Sequence, residues 1–196
     1  MAALRGNPVE GASRAGLMFT SALLATTTAE EAGVPGRDRL ASPASANAWV
    51  EQLAEGVPGD YLRDLVLTPA GLVQLRRFRE FLRAALRADR ILSESTADTP
   101  SAPFVSAAKL SWTPAGARLL PGGTGWHRAV AVATAELLLA EAAGHLRRLK
   151  TCAYGPCGFP FIDSSRNLSR AWHDTARCGN LVNLRASRAR RAQLEG

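Results

Sequence analysis

The sequence predicts an α+β protein, mainly helical, with a small β-hairpin and a C-terminal metal-binding module. Three observations carry that prediction. Leu72, Leu75, Phe78, Leu82 and Leu86 recur at steps of three and four, the period of one buried helix face. Two short runs, 104–112 and 117–120, flank the turn signal Thr113-Pro-Ala-Gly116, which reads as a hairpin. All three cysteines of the 196-residue chain lie close together near its end, as Cys152-Ala-Tyr-Gly-Pro-Cys157 and His173-Asp-Thr-Ala-Arg-Cys178.

Residues 1–45 are rich in Ala, Ser, Thr, Gly and Pro, and Gly33-Val-Pro-Gly36 reads as loop. The stretch 16–25 is short and interrupted by Thr20 and Ser21, so it reads as a folded segment rather than a signal peptide. A short helix is expected over 44–53. Thr68-Pro69 supplies an N-cap and a first-turn proline for a long helix running to about residue 90. Arg76, Arg79, Arg83, Arg87 and Arg90 share the side opposite its leucines and read as a solvated face; a second phosphate-binding surface is the alternative. Residues 93–103 are a polar linker. Pro121-Gly-Gly-Thr-Gly125 breaks the chain before a nearly all-apolar helix expected over 126–150. Such a helix is buried on most sides. It carries two carboxylates, Glu136 and Glu141, that cannot both face water on an apolar rod. One is expected to be buried, either as a general base with a raised pKa or paired with an arginine. With His127 at the helix start they are the candidate catalytic or ligand-binding groups, and Trp112 and Trp126 could wall an aromatic ligand.

No apolar run approaches the roughly 20 residues that span a bilayer. Three cysteines make a poor disulfide set and suit a reducing, cytoplasmic setting. The spacing of ligand-type residues is the sharpest signal. Cys152 and Cys157 share the internal spacing of His173 and Cys178, with fifteen residues between the pairs. Three thiols and one imidazole satisfy tetrahedral Zn²⁺ and leave no open position, which makes the zinc structural. A strand is expected over 158–162, and Asp163-Ser164-Ser165 reads as the N-cap of a helix over 166–172.

Charge is concentrated in the same region. Residues 146–196 hold ten bases against three acids, while residues 1–145 hold fourteen of each, so the whole net charge of +7 sits on the metal module. A basic module beside a neutral one is the footprint of phosphate binding. The expected contacts are Arg166, Arg170, Arg185, Arg188 and Arg190, with DNA as partner. Arginine outnumbers lysine 22 to 2 across the chain, so arginine as such does not signal bidentate phosphate recognition.

The run Cys152-Ala-Tyr-Gly-Pro-Cys157, Phe161-Ile-Asp-Ser-Ser-Arg-Asn-Leu-Ser-Arg-Ala-Trp172 and Cys178-Gly-Asn180, with a basic helix behind it, resembles the CGNR zinc finger of bacterial proteins. In that family the finger follows an α+β domain called ABATE, to which the two long helices and the hairpin are similar. The resemblance implies domains at 1–148 and 149–196 and a DNA-binding transcriptional regulator, with a ligand-sensing N-terminal domain and a homodimer compatible with it. The chain departs from the family pattern: His173 stands for a cysteine ligand, Leu181 for the signature arginine, Asn183 for a lysine, and the N-terminal strand motif is reduced to residues 21–26. These departures leave an alternative, in which the chain is a repurposed small-molecule-binding protein or enzyme of bacterial secondary metabolism with purely structural zinc.

Overall fold

A computed structural model describes residues 16–27, 38–57, 60–87 and 104–194. The loop at 33–36, Arg90 and the linker at 93–103 lie outside them. The element order is α1 (Met18–Leu24), α2 (Pro43–Ala54), a 3₁₀ turn (Asp60–Leu62), α3 (Pro69–Arg87), β1 (Ala108–Thr113), β2 (Gly116–Pro121), α4 (Gly125–Ala142), a second 3₁₀ turn (Leu146–Arg148), β3 (Leu149–Thr151), β4 (Pro160–Ile162), a π-turn (Thr175–Gly179) and α5 (Asn180–Leu194). The α+β class holds.

Local signals explain most boundaries. Ser42 and Ser45 form a reciprocal capping box at the start of α2. The Thr68 hydroxyl accepts from the Gly71 amide at 3.1 Å and caps α3. In α3, Leu72, Leu75, Phe78, Leu82 and Leu86 are all buried on the expected face. β1 and β2 pair antiparallel from Ala108↔Pro121 to Thr113↔Gly116 across the predicted turn.

Two expectations are corrected. The helix predicted over 126–150 ends at Ala142. Gly144 turns left-handed (φ +70°), and the His145 amide reaches back to the Ala140 carbonyl at 2.7 Å, which closes the helix as a Schellman end. The freed residues 149–151 become β3, which pairs with β4 as Leu149↔Ile162, Lys150↔Phe161 and Thr151↔Pro160. The reduced strand motif at 21–26 is not a strand either, because residues 18–24 are α1.

α1 is short but central. Phe19, Thr20, Leu23 and Leu24 have no exposed surface. It packs against α3, α4 and β4, while α4 also packs on α3. Leu149 of β3 and Ile162 of β4 belong to this main core. Cys152, Tyr154, Cys157 and Cys178 form a second cluster, with Phe159, Trp172 and Val182 against it. The β3–β4 hairpin therefore joins the metal module to the body.

At Arg76, Arg79 and Arg83 the arginine stripe of α3 is engaged within the fold, while Arg87 is exposed as expected. Arg79 is 4% exposed and forms a two-pronged pair with Asp38, at 2.8 and 3.0 Å. Burial opposes the charge on Asp38, but the guanidinium outweighs it and lowers the carboxyl pKa. Arg83 donates to the carbonyls of Leu24 and Thr27, and Arg76 to those of Leu40 and Ala41. The stripe grips the backbone that follows α1 and precedes α2. These guanidinium groups are occupied within the fold, which leaves no phosphate surface at Arg76, Arg79 and Arg83. Among the described residues no helix is long and apolar enough to cross a membrane.

Candidate metal centre and nucleic-acid interface

The four ligand-type residues predicted from spacing converge. One ligand atom from each of Cys152, Cys157, His173 and Cys178 lies within 4.8 Å of the others. The His173 Nδ1 atom is 3.3 Å from the Cys157 Sγ and 3.7 Å from the Cys178 Sγ. A tetrahedral zinc with ordinary bond lengths requires edges of about 3.5 Å between nitrogen and sulfur. The donor set therefore fits one Zn²⁺. It also leaves no position for a coordinated water, so the zinc is structural.

Three pieces of backbone deliver these ligands. Cys152 follows β3, and its amide donates to the Phe159 carbonyl at 2.9 Å. The Cys157 amide closes a tight turn on the Tyr154 carbonyl at 2.8 Å. Cys178 sits in the π-turn, where the Asp174 side chain accepts from the Arg177 amide and so caps the approach to α5. His173 lies between, its ring 4.9 Å from that of Phe159. Burial, and then the neighbouring thiols, push Cys178 up to about 12, while burial raises Cys157 and lowers His173. Clustered buried thiols resist ionising without a cation, and a bound divalent metal inverts that preference.

The helix predicted over 166–172 is absent, and the reason is Asp163. Its side chain is wholly buried. One carboxylate oxygen accepts from the Ser165 amide (2.9 Å) and hydroxyl (2.6 Å), the other from Lys150 Nζ (2.7 Å) and the Arg170 amide (3.0 Å). The bond from the Ser165 amide, two residues on, is the kind an N-cap makes. The second oxygen gathers the amide seven residues away, which bends 163–172 into a loop around Asp163 instead of a helix. Leu168 takes a left-handed φ of +52° within this loop, and its carbonyl accepts from Lys150. Arg148 adds bonds to the carbonyls of Asp163 and Ser165.

The expected DNA-contacting arginines separate into two groups. Arg166, Arg185, Arg188 and Arg190 are exposed. Arg170 is half-buried; it donates to the His173 carbonyl at 2.6 Å and lies over the Phe161 ring. It braces the loop carrying the imidazole ligand. Arg185 lies 5.2 Å over Tyr154, at the border between α5 and the finger. Arg177 and Arg191 are also exposed.

The N-terminal candidates do not converge. Glu136 accepts from the Phe19 amide (2.9 Å), the Thr20 amide (2.7 Å) and the Thr20 hydroxyl (2.7 Å). Its partner is thus the open N-terminus of α1 rather than an arginine. Burial raises its pKa, against the pull of the Thr20 and Phe19 donors. Glu141 is exposed. His127 is exposed as well and stacks beside Trp126, with centroids 3.9 Å apart. Trp126 packs on Gly71 of α3, where any Cβ would meet its ring at 3.2 Å. Trp112 is 80% exposed on the hairpin, so the two indoles do not form facing walls.

Fold and site together define a helical α+β body carrying a Cys₃His zinc finger. The model of the family called ABATE, described as a putative stress-induced transcription regulator, matches residues 20–150. The CGNR zinc finger model matches residues 148–191. The first match spans well over half of the chain, and the chain belongs to the ABATE family, with a CGNR zinc finger at its C-terminal end. No curated protein matches it.

Proposed function

We propose that this chain is a DNA-binding transcriptional regulator whose finger presents α5 to the duplex. The observation that carries this reading is the exposure of α5. Beyond Val182, which packs on the metal cluster, every side chain from Asn183 to Gln193 is exposed except the half-buried Ser187. Among the described residues, this helix of 15 residues, about 22 Å long, is exposed along most of its length. The major groove admits a rod of that diameter. Arg188 and Arg191 lie on one side of it and Arg190 on the other, which suits phosphates on both groove walls. Arg177, three residues before α5, adds an exposed charge at the helix start. The metal centre is scaffold here: it holds the first turn of α5 against Tyr154 and the cysteines. Family membership and the +7 charge of residues 146–196 support the same reading.

The test is fluorescence anisotropy of zinc-replete protein with duplex DNA across a salt series. Binding should fall with salt at a slope of about −0.9 per phosphate contacted. Arg188→Ala should weaken every duplex alike and flatten the slope by about one. Absence of binding to any duplex at low salt would refute the proposal.

A further inference from the structure

Phosphate binding does not account for two residues on α5. Leu181 and Leu184 are 42% and 47% exposed and rank among the exposed large apolar side chains of the described residues. They do not scatter around the helix. Leu181, Leu184, Arg185, Arg188 and Arg191 follow at steps of three, four, seven and ten, which places them on one face. Val182, half-buried, marks a different side, where the helix meets the metal cluster. The exposed face therefore offers two adjacent isobutyl groups at the N-terminal end of α5 and three guanidinium groups beside and beyond them.

A partner that fits this face has apolar spots inside an anionic surround. The major groove of B-DNA has that chemistry: the 5-methyl group of thymine projects from the floor, and phosphates line both walls. The N-terminal end of a groove-bound helix is the part that meets base edges in several DNA-binding motifs. Leucine offers no hydrogen bond, so it cannot read guanine, cytosine or adenine by donor and acceptor pattern, but it can lie against a methyl group. Resting on the DNA-binding reading above, we infer that Leu181 and Leu184 are specificity residues that favour duplexes presenting thymine methyl groups where α5 enters the groove. An anionic membrane would be a different partner, and the experiment separates the two.

The probe is a panel of AT-rich duplexes, each compared with the same duplex carrying deoxyuridine in place of every thymine. Uracil pairs as thymine does and lacks only the methyl group. Anisotropy titrations with wild-type, zinc-replete, full-length chain should show the best-bound thymine duplex at least about fivefold tighter than its uracil twin, the scale of one or two buried methyl contacts. A GC duplex should gain when its cytosines carry a 5-methyl group. The double variant Leu181→Ala, Leu184→Ala should bind thymine and uracil duplexes alike, with unchanged zinc content and salt slope. Alanine keeps helix propensity, and both leucines are exposed, so the fold is not at issue. Equal wild-type binding of thymine and uracil duplexes overturns this inference and leaves the regulator reading standing. Discrimination that survives in the double variant also overturns it. Binding to no duplex, with capture by anionic vesicles instead, overturns both.

Discussion

A buried carboxylate with four donors is a strong local constraint, and Asp163 sits where it controls the finger. Burial alone would raise its pKa, but Lys150, Ser165 and the Arg170 amide pull it to about 2. An unfolded aspartate titrates near 3.9. The folded value is depressed, so the stabilisation is complete above about pH 4 and fades as pH falls through about 2. Asp163→Asn removes the charge while keeping the shape. It leaves the Lys150 ammonium, half-buried, without its counter-charge, and sets an amide –NH₂ against donors. A loss of about 3 kcal/mol is expected, or roughly 10 °C in Tm by calorimetry, since removing one partner of a buried pair strands the other. A variant that melts with wild type would contradict this account of the loop. Glu136→Gln tests the half-buried acid that caps α1. Its –NH₂ would face the Phe19 or Thr20 amide, so about 1–2 kcal/mol should be lost with the fold retained. An unchanged denaturation midpoint would mean that the α1 cap contributes nothing.

At the scale of elements, the described residues hold α5 mainly at its first turn. Isolated helices of this length are marginal in water. Removing zinc with a chelator should therefore unwind α5 while α3 and α4 persist, seen as a partial loss of far-ultraviolet ellipticity that zinc restores. No change in ellipticity would show that the helix stands without the metal. Elements with strong local signals were legible in the sequence. The cap at Thr68, the leucine period of α3, the hairpin turn and the four metal ligands all read directly from residue type and spacing. What escaped did so for physical reasons. Gly144 signals a helix stop, but the apolar run before it and the bases after it read as one continuous helix, which hid β3. Asp163 looks like an N-cap because that reading considers only nearby amides. Arg76, Arg79 and Arg83 look solvated because their acceptors, Glu80 apart, lie 35 to 59 residues away in sequence. Glu136 was visible as an anomaly on an apolar helix, but its partner, the N-terminus of α1, could come only from tertiary structure.

For the whole molecule, the question is where the finger ends and the body begins. Leu149 and Ile162 belong to the main core, while the cysteines form their own cluster. The β3–β4 hairpin is thus common to both. Cys157→Ser should release the metal and expose amides of 152–159 and 173–190 to hydrogen exchange. The amides of β3 and β4 should keep protection together with α3 and α4, because their side chains remain in the larger core. Simultaneous loss of protection everywhere would make the chain a single cooperative unit. The docking of α1 also has a consequence for biosynthesis. Thr20 and Glu136 are 116 residues apart, and α1 is buried among elements that are all made after it. At about 5–20 residues per second, a ribosome would need on the order of ten seconds to reach the residue that caps α1. Until α4 and β4 follow α3, the nascent chain would present part of the Leu17, Phe19, Leu23 and Leu24 surface uncovered. Such a segment suits a molecular chaperone, so folding of this chain in the cell should depend on holdase capacity more than on its final stability.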